Sequence, residues 1–350
     1  MKTKRWIDTA ALTALLAVSA LPVSAQETYR VSGPRVAVYN LAGDVEVVPG
    51  RGSEVVVTVT RGGSDAAELD VEMHEVDGYE ALVVRYPSDQ VVYDRGGRGN
   101  SSTTIRLRDD GTWGGRTRGG DEVRVRTSGR GLEAHADLRI EVPEGRDIRV
   151  FLAVGETMAR GLRGDVNLDS GSGRIDVEDI VGDLSVDTGS GGVSVADVEG
   201  EVTIDTGSGS VDVERVRGAV LSVDTGSGTV DATGIEADVV EVDTGSGSVE
   251  MAQITASNIV VDTGSGAVDL HVLSAVDRIV VDTGSGGVTL RLPAGIDAEL
   301  EADSGNGGID VDFPLQVMSQ RRNYLRAVMG DGRGRIEIDT GSGRIRIVRN

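Results

Sequence analysis

The chain contains no cysteine, and aromatic residues fill only 3% of its 350 positions. Lack of cysteine removes disulfides and lipid-modified cysteine together, so packing and hydrogen bonds alone must hold the fold. So few large rings, beside 50 glycines, exclude a thick globular core and point to a thin, turn-dense β protein. Histidine is scarce too: His74, His135 and His271 lie far apart and in no metal-ligand spacing. Positive charge is short over the second half. Residues 165–312 carry 30 Asp and Glu against five Arg, a net of −25 in a chain whose total is −22. A surface of that sign repels nucleic acid and anionic lipid, so no nucleic-acid partner is expected, while cations and basic partners are favoured.

Long apolar runs are missing beyond the first residues, and no transmembrane anchor is expected. Residues 1–25 read as a signal peptide. Lys2, Lys4 and Arg5 form the basic start, Ala10 to Leu21 the short apolar stretch, and Val23-Ser24-Ala25 the small-residue cleavage site. The leader implies an exported protein, periplasmic or extracellular at the cell surface.

What the chain has in abundance is one turn. Asp-[Ser/Thr]-Gly-[Ser/Asn]-Gly begins at Asp169, Asp187, Asp205, Asp224, Asp243, Asp262, Asp282, Asp303 and Asp339. Successive copies are 18 to 21 residues apart until the last step of 36, which reads as two steps with one copy degraded. Asp-Thr-Gly-Ser is also the active-site turn of aspartic proteases, which need two copies facing each other. Nine copies about one coil apart cannot form such a dyad, and they read as architecture.

Around each turn the apolar residues alternate with polar ones: Leu221 and Val223 before Asp224-Thr225-Gly226-Ser227-Gly228, Val230 and Ala232 after it. That is two short strands per unit, each with one apolar face. A flat antiparallel meander leaves those faces in water, whereas a coil stacks them into a shared interior. The expected fold is all-β, a single-stranded parallel β-helix (β-solenoid) with coils of about 18–21 residues. A strand-end Asp is expected to close an Asx-turn, the glycines to supply positive φ or close backbone approach, and Ser or Thr to bond along the stack. Residues 151–350 form the regular array. Residues 26–150 are degenerate coils interrupted by a Gly- and Arg-rich, net-positive insertion at 87–133 that is either a loop or a binding element, with Trp113, Arg116 and Arg118 as candidate partner contacts.

The worn copy at Asn40–Val47, the Val-Pro-Glu-Gly step at Val142–Gly145, the Gly-Asp-Val turns at Gly43 and Gly164, and the closing stretch 334–347 resemble a bacterial envelope family. That family is a β-strand-repeat domain of unknown function carrying a "putative adhesin" label. The resemblance implies a single-stranded β-helix and supplies no catalytic residue.

Stacked coils turn the motif aspartates into one line, and a second acid follows seven residues later in most copies. Calcium accepts carboxylate and carbonyl oxygens in flexible numbers, so Asp187, Asp205, Asp212, Asp224, Asp231, Asp243, Asp262 and Asp269 are candidate Ca2+ ligands, against a merely solvated ladder. No other cofactor is expected. The leading functional reading is a non-catalytic binding or structural module of the cell envelope whose partner is a polysaccharide, a protein or another copy of itself. A carbohydrate-active lyase or hydrolase and a calcium-stabilised module are the alternatives.

Overall fold

The computed structural model describes residues 26–94, 101–114 and 119–350; the leader and the candidate contacts Arg116 and Arg118 lie outside them. The chain winds as a parallel β-solenoid. On one side, face A, strands such as Val166–Ser172, Leu184–Thr188 and Val202–Thr206 stack in register, motif aspartate on motif aspartate. On the other, face B, Ile175–Val181, Val193–Glu199 and residues 211–217 do the same. Three strands, Val211–Thr225, Val230–Thr244 and Val249–Thr263, run unbroken through the bend between the faces and belong to both.

The apolar alternation explains the winding. Val166, Leu168, Ile175 and Val177 are all buried, as are their equivalents in the following coils except the outermost, where Ile309 and Val311 are half-buried. The coils up to Ile254 also bury a fifth aliphatic that simple alternation would send outward: Ile180, Val198, Val216, Ile235 and Ile254. Each follows its predecessor by three residues instead of two, because a residue in the left-handed region intervenes. Asp179, Asp197, Arg215 and Gln253 have φ between 54° and 57°, and Gly161 and Gly234 hold the same place at 69° and 72°. In these coils one bulge turns the strand and returns the next side chain to the interior, whereas Val268–Val272 and Val288–Leu292 continue in plain alternation.

The corner between faces A and B is tied by its threonines. Thr225, Thr244, Thr263, Thr283 and Thr340 are fully buried, and each hydroxyl donates to a glycine carbonyl in the coil stacked beside it, as Thr263 Oγ1 does to Gly247 O at 2.9 Å. From Thr244 onward the same oxygen accepts from the second glycine of its own turn, Gly266 N to Thr263 Oγ1 at 3.0 Å. The expected Asx-turn is seen at Asp303, where Gly305 N donates to Oδ1. At Asp243, Asp262, Asp282 and Asp339 threonine caps the turn from inside and aspartate points out, whereas the buried hydroxyls of Ser170, Thr188 and Thr206 in the earlier coils make no hydrogen bond. Neither Gly226 nor Gly228 needs positive φ; both are required by crowding. An added Cβ would stand 2.6 Å from Gly207 O at the first and 1.9 Å from Gly209 O at the second.

Both ends depart from the simple array. The first coil, Arg35–Ala42 with Val45–Pro49, stacks directly on the coil formed by Asp147–Val154 and Thr157–Arg163. Residues between them form a cap in which Val55–Gly62 runs antiparallel to His135–Val142 and Asp70–Val76 antiparallel to Tyr79–Arg85. The expected 87–133 loop contains a three-stranded sheet of Gln90–Val92, Ser102–Leu107 and Asp121–Arg126. It is fastened to the solenoid by a 2.7 Å hydroxyl pair, Thr103 with Ser172. At the C-terminus the 36-residue step is not two coils. Gly334–Thr340 lies between Arg278–Thr283 and Ala298–Asp303, so the last coil of the sequence is the penultimate coil in space. The residues skipped form a hairpin, Gln316–Gln320 with Tyr324–Met329, that caps Ala298–Asp303 by antiparallel pairing.

Thr263→Val keeps the shape of the buried side chain but strands one N–H and one carbonyl, and is expected to cost about 2 kcal/mol in chemical denaturation, with Thr263→Ser losing less than half of that. At the exposed bulge position, Gln253→Gly should stabilise by roughly 0.5–1 kcal/mol and Gln253→Ile should destabilise by a similar amount or more, because only glycine adopts φ near 57° freely. Equal midpoints for the two Gln253 variants would contradict the bulge.

Candidate functional site

The motif aspartates form a single column on face A: Asp169, Asp187, Asp205, Asp224, Asp243, Asp262 and Asp282 in consecutive coils, then Asp339 and Asp303. Asp212, Asp231 and Asp269 belong to a second column on face B, with Ser194, Glu250 and Thr289 in the same register. The eight calcium candidates thus divide between two columns on either side of the corner. Among the described residues no group of three or more acids or histidines converges on a point that could hold a metal. Like charges one strand apart raise each other's proton affinity. Partial burial first, then the neighbouring carboxylates, lift the pKa of Asp187, Asp224, Asp262 and Asp339 on face A, and of Asp231 on face B.

At its N-terminal end the face A column changes character. The positions before Asp169 are Phe151 and Tyr39, whose rings stack at 4.3 Å and 4°. Trp113 meets Phe151 edge-on at 5.9 Å and is itself buried, 5% exposed. Trp113, a candidate partner contact from sequence, has its ring turned to the interior, where it anchors the insertion to the solenoid. Its loop is held by Arg108, which donates to Thr112 Oγ1 at 2.7 Å and to Gly114 O at 2.6 Å. Gly114 presses on Asp169, so closely that a Cβ there would sit 2.7 Å from Asp169 Oδ2. That cover, followed by the charge of Asp187, pushes the Asp169 carboxyl up to about 7.

A second column of face A lies two residues before each motif aspartate. It reads Arg149, Asn167, Ser185, Thr203 and Ser222 in consecutive coils. Its N-terminal end is closed by Tyr79, with the guanidinium groups of Arg149 and Arg35 4.1 Å and 4.9 Å from its ring centroid. Tyr79, Arg149, Asn167, Ser185 and Thr203 line a shallow groove of about 250 Å³, with Asp165, Asp183 and Glu201 along its rim. Those rim acids have a structural task as well: Asp165 accepts from Asp183 N at 3.1 Å and Asp183 from Glu201 N at 3.0 Å, tying the second bend from coil to coil. Chemically the groove offers an aromatic ring, an amide and hydroxyls at one-strand intervals, beside carboxylates. None of this row was singled out from sequence, although the signal was present. The position two before the motif aspartate is polar and uncharged in the first four copies, then turns to Glu241, Val260 and Val280.

Asp169 sets a pH dependence. Its folded pKa is raised, so its contribution to stability is complete below the ordinary carboxylate pKa and is lost as pH rises through about 7. The lowered acids, Asp110, Asp197, Glu236 and Asp297, lose theirs only at pH values below the usual carboxylate range. Thermal melts should therefore move upward as pH falls from 8 to 5. Asp169→Asn should flatten that slope and stabilise the protein by roughly 1–2 kcal/mol at pH 8, after allowance for solvent screening. An unchanged slope in the variant would show that the proton is bound elsewhere.

No curated protein matches the sequence. Among solved structures the chain is similar to a "putative cell adhesion protein" from Clostridium sporogenes, at 10% identity over 93% of this chain and 99% of that one, with a TM-score of 0.20. It is also similar to a "putative adhesin" from Bacteroides fragilis (11% identity, 93% and 96% covered, TM-score 0.36). A "putative lipid binding protein" from Parabacteroides distasonis matches at 12% identity, with 93% and 96% covered and a TM-score of 0.34. The Toastrack DUF4097 family model matches residues 133–348, more than half of the chain and most of the coils described above, and the protein belongs to that family.

Proposed function

We propose that this protein is a non-catalytic, exported β-solenoid of the cell envelope that binds a polysaccharide along face A, near the N-terminal cap. The row Tyr79, Arg149, Asn167, Ser185 and Thr203 carries the reading. Sugars are recognised by stacking on an aromatic face and by hydrogen bonds to amide and hydroxyl groups, and a stack of parallel coils repeats such groups in step along an extended ligand. The carboxylates on the rim favour uncharged or amino sugars over uronic acids. Export is supported by the basic start, apolar stretch and small-residue site of residues 1–25.

A carbohydrate-active enzyme is the second reading, and Asp169 is the residue that favours it, since a carboxyl protonated near neutrality is what a general acid requires. Against it stands the position of Gly114, which lies over that carboxyl where a glycosidic oxygen would have to approach.

Binding of neutral and amino-sugar oligosaccharides to the chain from residue 26 onward is the expected outcome on a glycan array. Tyr79→Ala should weaken the best ligand about tenfold, near 1.4 kcal/mol, with native circular dichroism retained. Undiminished binding in Tyr79→Ala would move the site elsewhere, and cleavage of the ligand by wild-type protein would replace this reading with the enzymatic one.

A further inference from the structure

Parallel ladders leave two open edges, and in this protein the two outermost strands of face A are opposite in charge. At the N-terminal end the outer strand is Asp70–Val76, which pairs only with Tyr79–Arg85 among the described residues. Residues 65–77 hold six acids (Asp65, Glu68, Asp70, Glu72, Glu75 and Asp77) and no lysine or arginine. At the C-terminal end the outer strand is Gln316–Gln320, which pairs only with Tyr324–Met329. Residues 316–326 hold Arg321, Arg322 and Arg326 and no acid.

Each edge also carries exposed apolar side chains of a kind that edge strands normally avoid. Met73 is 50% exposed on the acidic strand, and Val317 and Met318 are 51% and 61% exposed on the basic one. All five residues of Gln316–Gln320 are exposed, and Met318 falls at the register shift that bulges the strand. Below it lies a groove of about 470 Å³ of mixed character, in which Val311, Leu315, Val317 and Leu325 alternate with Asp310, Asp312 and Arg346.

Strand direction is compatible with pairing. Gln316–Gln320 points the same way as Ala298–Asp303, two antiparallel steps removed, and Asp70–Val76 points against the face A strands. Two copies stacked along one axis in the same orientation therefore bring these edges together as an antiparallel pair. A register placing Met318 opposite Met73 also places Arg321 opposite Asp70. The ends are stepped in opposite senses. At the C-terminal end face A rises two strands above face B, and at the N-terminal end face B extends one strand further than face A.

From these observations we infer that the protein docks head to tail on further copies of itself, the basic edge Gln316–Gln320 adding to the acidic edge Asp70–Val76 of the next copy. Such an interface is heterologous, so repetition along the solenoid axis gives an open filament and not a closed pair. This assembly leaves the face A groove free and stands or falls independently of glycan binding.

The native chain has no cysteine, which makes cross-linking specific. Met73→Cys combined with Met318→Cys in one chain should oxidise to a ladder of disulfide-linked dimers, trimers and longer species, while either variant alone gives no ladder. Strong dimerisation of Met318→Cys alone would mean tail-to-tail pairing and overturn the proposal. In sedimentation velocity, wild-type protein should form oligomers that grow with concentration and disappear at high salt. R321E/R322E and D70R/E72R should each be monomeric with native circular dichroism, and a mixture of the two should restore mixed oligomers, because the reversed edges complement one another. Monomeric wild-type protein at every concentration, or charge-reversed variants that assemble as well as wild type, would overturn it.

Discussion

At the corner of faces A and B the glycine backbones of neighbouring coils approach so closely that no side chain fits between them. Stacked coils sit one strand apart, and the 1.9 Å from a notional Gly228 Cβ to Gly209 O makes the tightness plain. The same tightness forces the adjacent threonine inward. There its hydroxyl is buried, and from Thr244 onward it finds partners in the carbonyl of the stacked glycine and the amide of its own turn, while Thr188 and Thr206 in the earlier coils find none. Glycine for approach and threonine for satisfaction explain three of the motif's five positions without any appeal to function.

The outer surface follows from the same constraint. When coils stack in strict register, whatever a repeat carries on its outer face becomes a column, favourable or not. The aspartate column is the unfavourable case. It is tolerated because its side chains point to water, and where a loop covers one of them, Asp169, the carboxyl keeps a proton to about 7 instead of holding a charge beside Asp187. Arginines relieve repulsion elsewhere by bridging coils, Arg215 to Asp197 and Arg217 to Glu236. The column of Asn167, Ser185, Thr203 and Ser222 is the benign case, since neutral groups stack without penalty and remain available to a ligand.

Strand alternation and turn spacing made the coil legible from residues alone: Val166, Leu168, Ile175 and Val177 point inward as their pattern requires. The fifth aliphatic was not legible, because Ile180 follows Val177 by three and its inward direction depends on Asp179 adopting a left-handed conformation that aspartate does not announce. From sequence alone Trp113 is a candidate partner contact, because it stands in a glycine-rich, arginine-rich stretch. Its burial depends on Phe151, a residue of a distant strand that takes the place an aspartate holds in later coils. Tyr79 was missed for a related reason: its neighbours Arg35 and Arg149 are remote in sequence and meet only when the first coil stacks on residues 147–163.

Terminal repeats of a solenoid have one neighbour where internal ones have two, and are the first to open. The chain order at the C-terminus addresses this. By travelling one coil beyond and returning, the chain places its last strands, Gly334–Thr340 and Ile345–Arg349, between two partners each. The final residue is secured as well, Asn350 N donating to Leu292 O at 2.9 Å and its side chain to Val272 O at 2.8 Å. The outermost position passes to residues 298–311, which face A covers with the antiparallel hairpin. A similar substitution operates at the other end, where antiparallel strands follow the last parallel ones on both faces. Reversing strand direction ends the repeat without a further coil, since an antiparallel neighbour satisfies the ladder but cannot present the turn that would seat another Asp-Thr-Gly-Ser-Gly. Uncontrolled addition of further parallel coils is thereby stopped, and any growth along the axis must use the edges of the caps themselves.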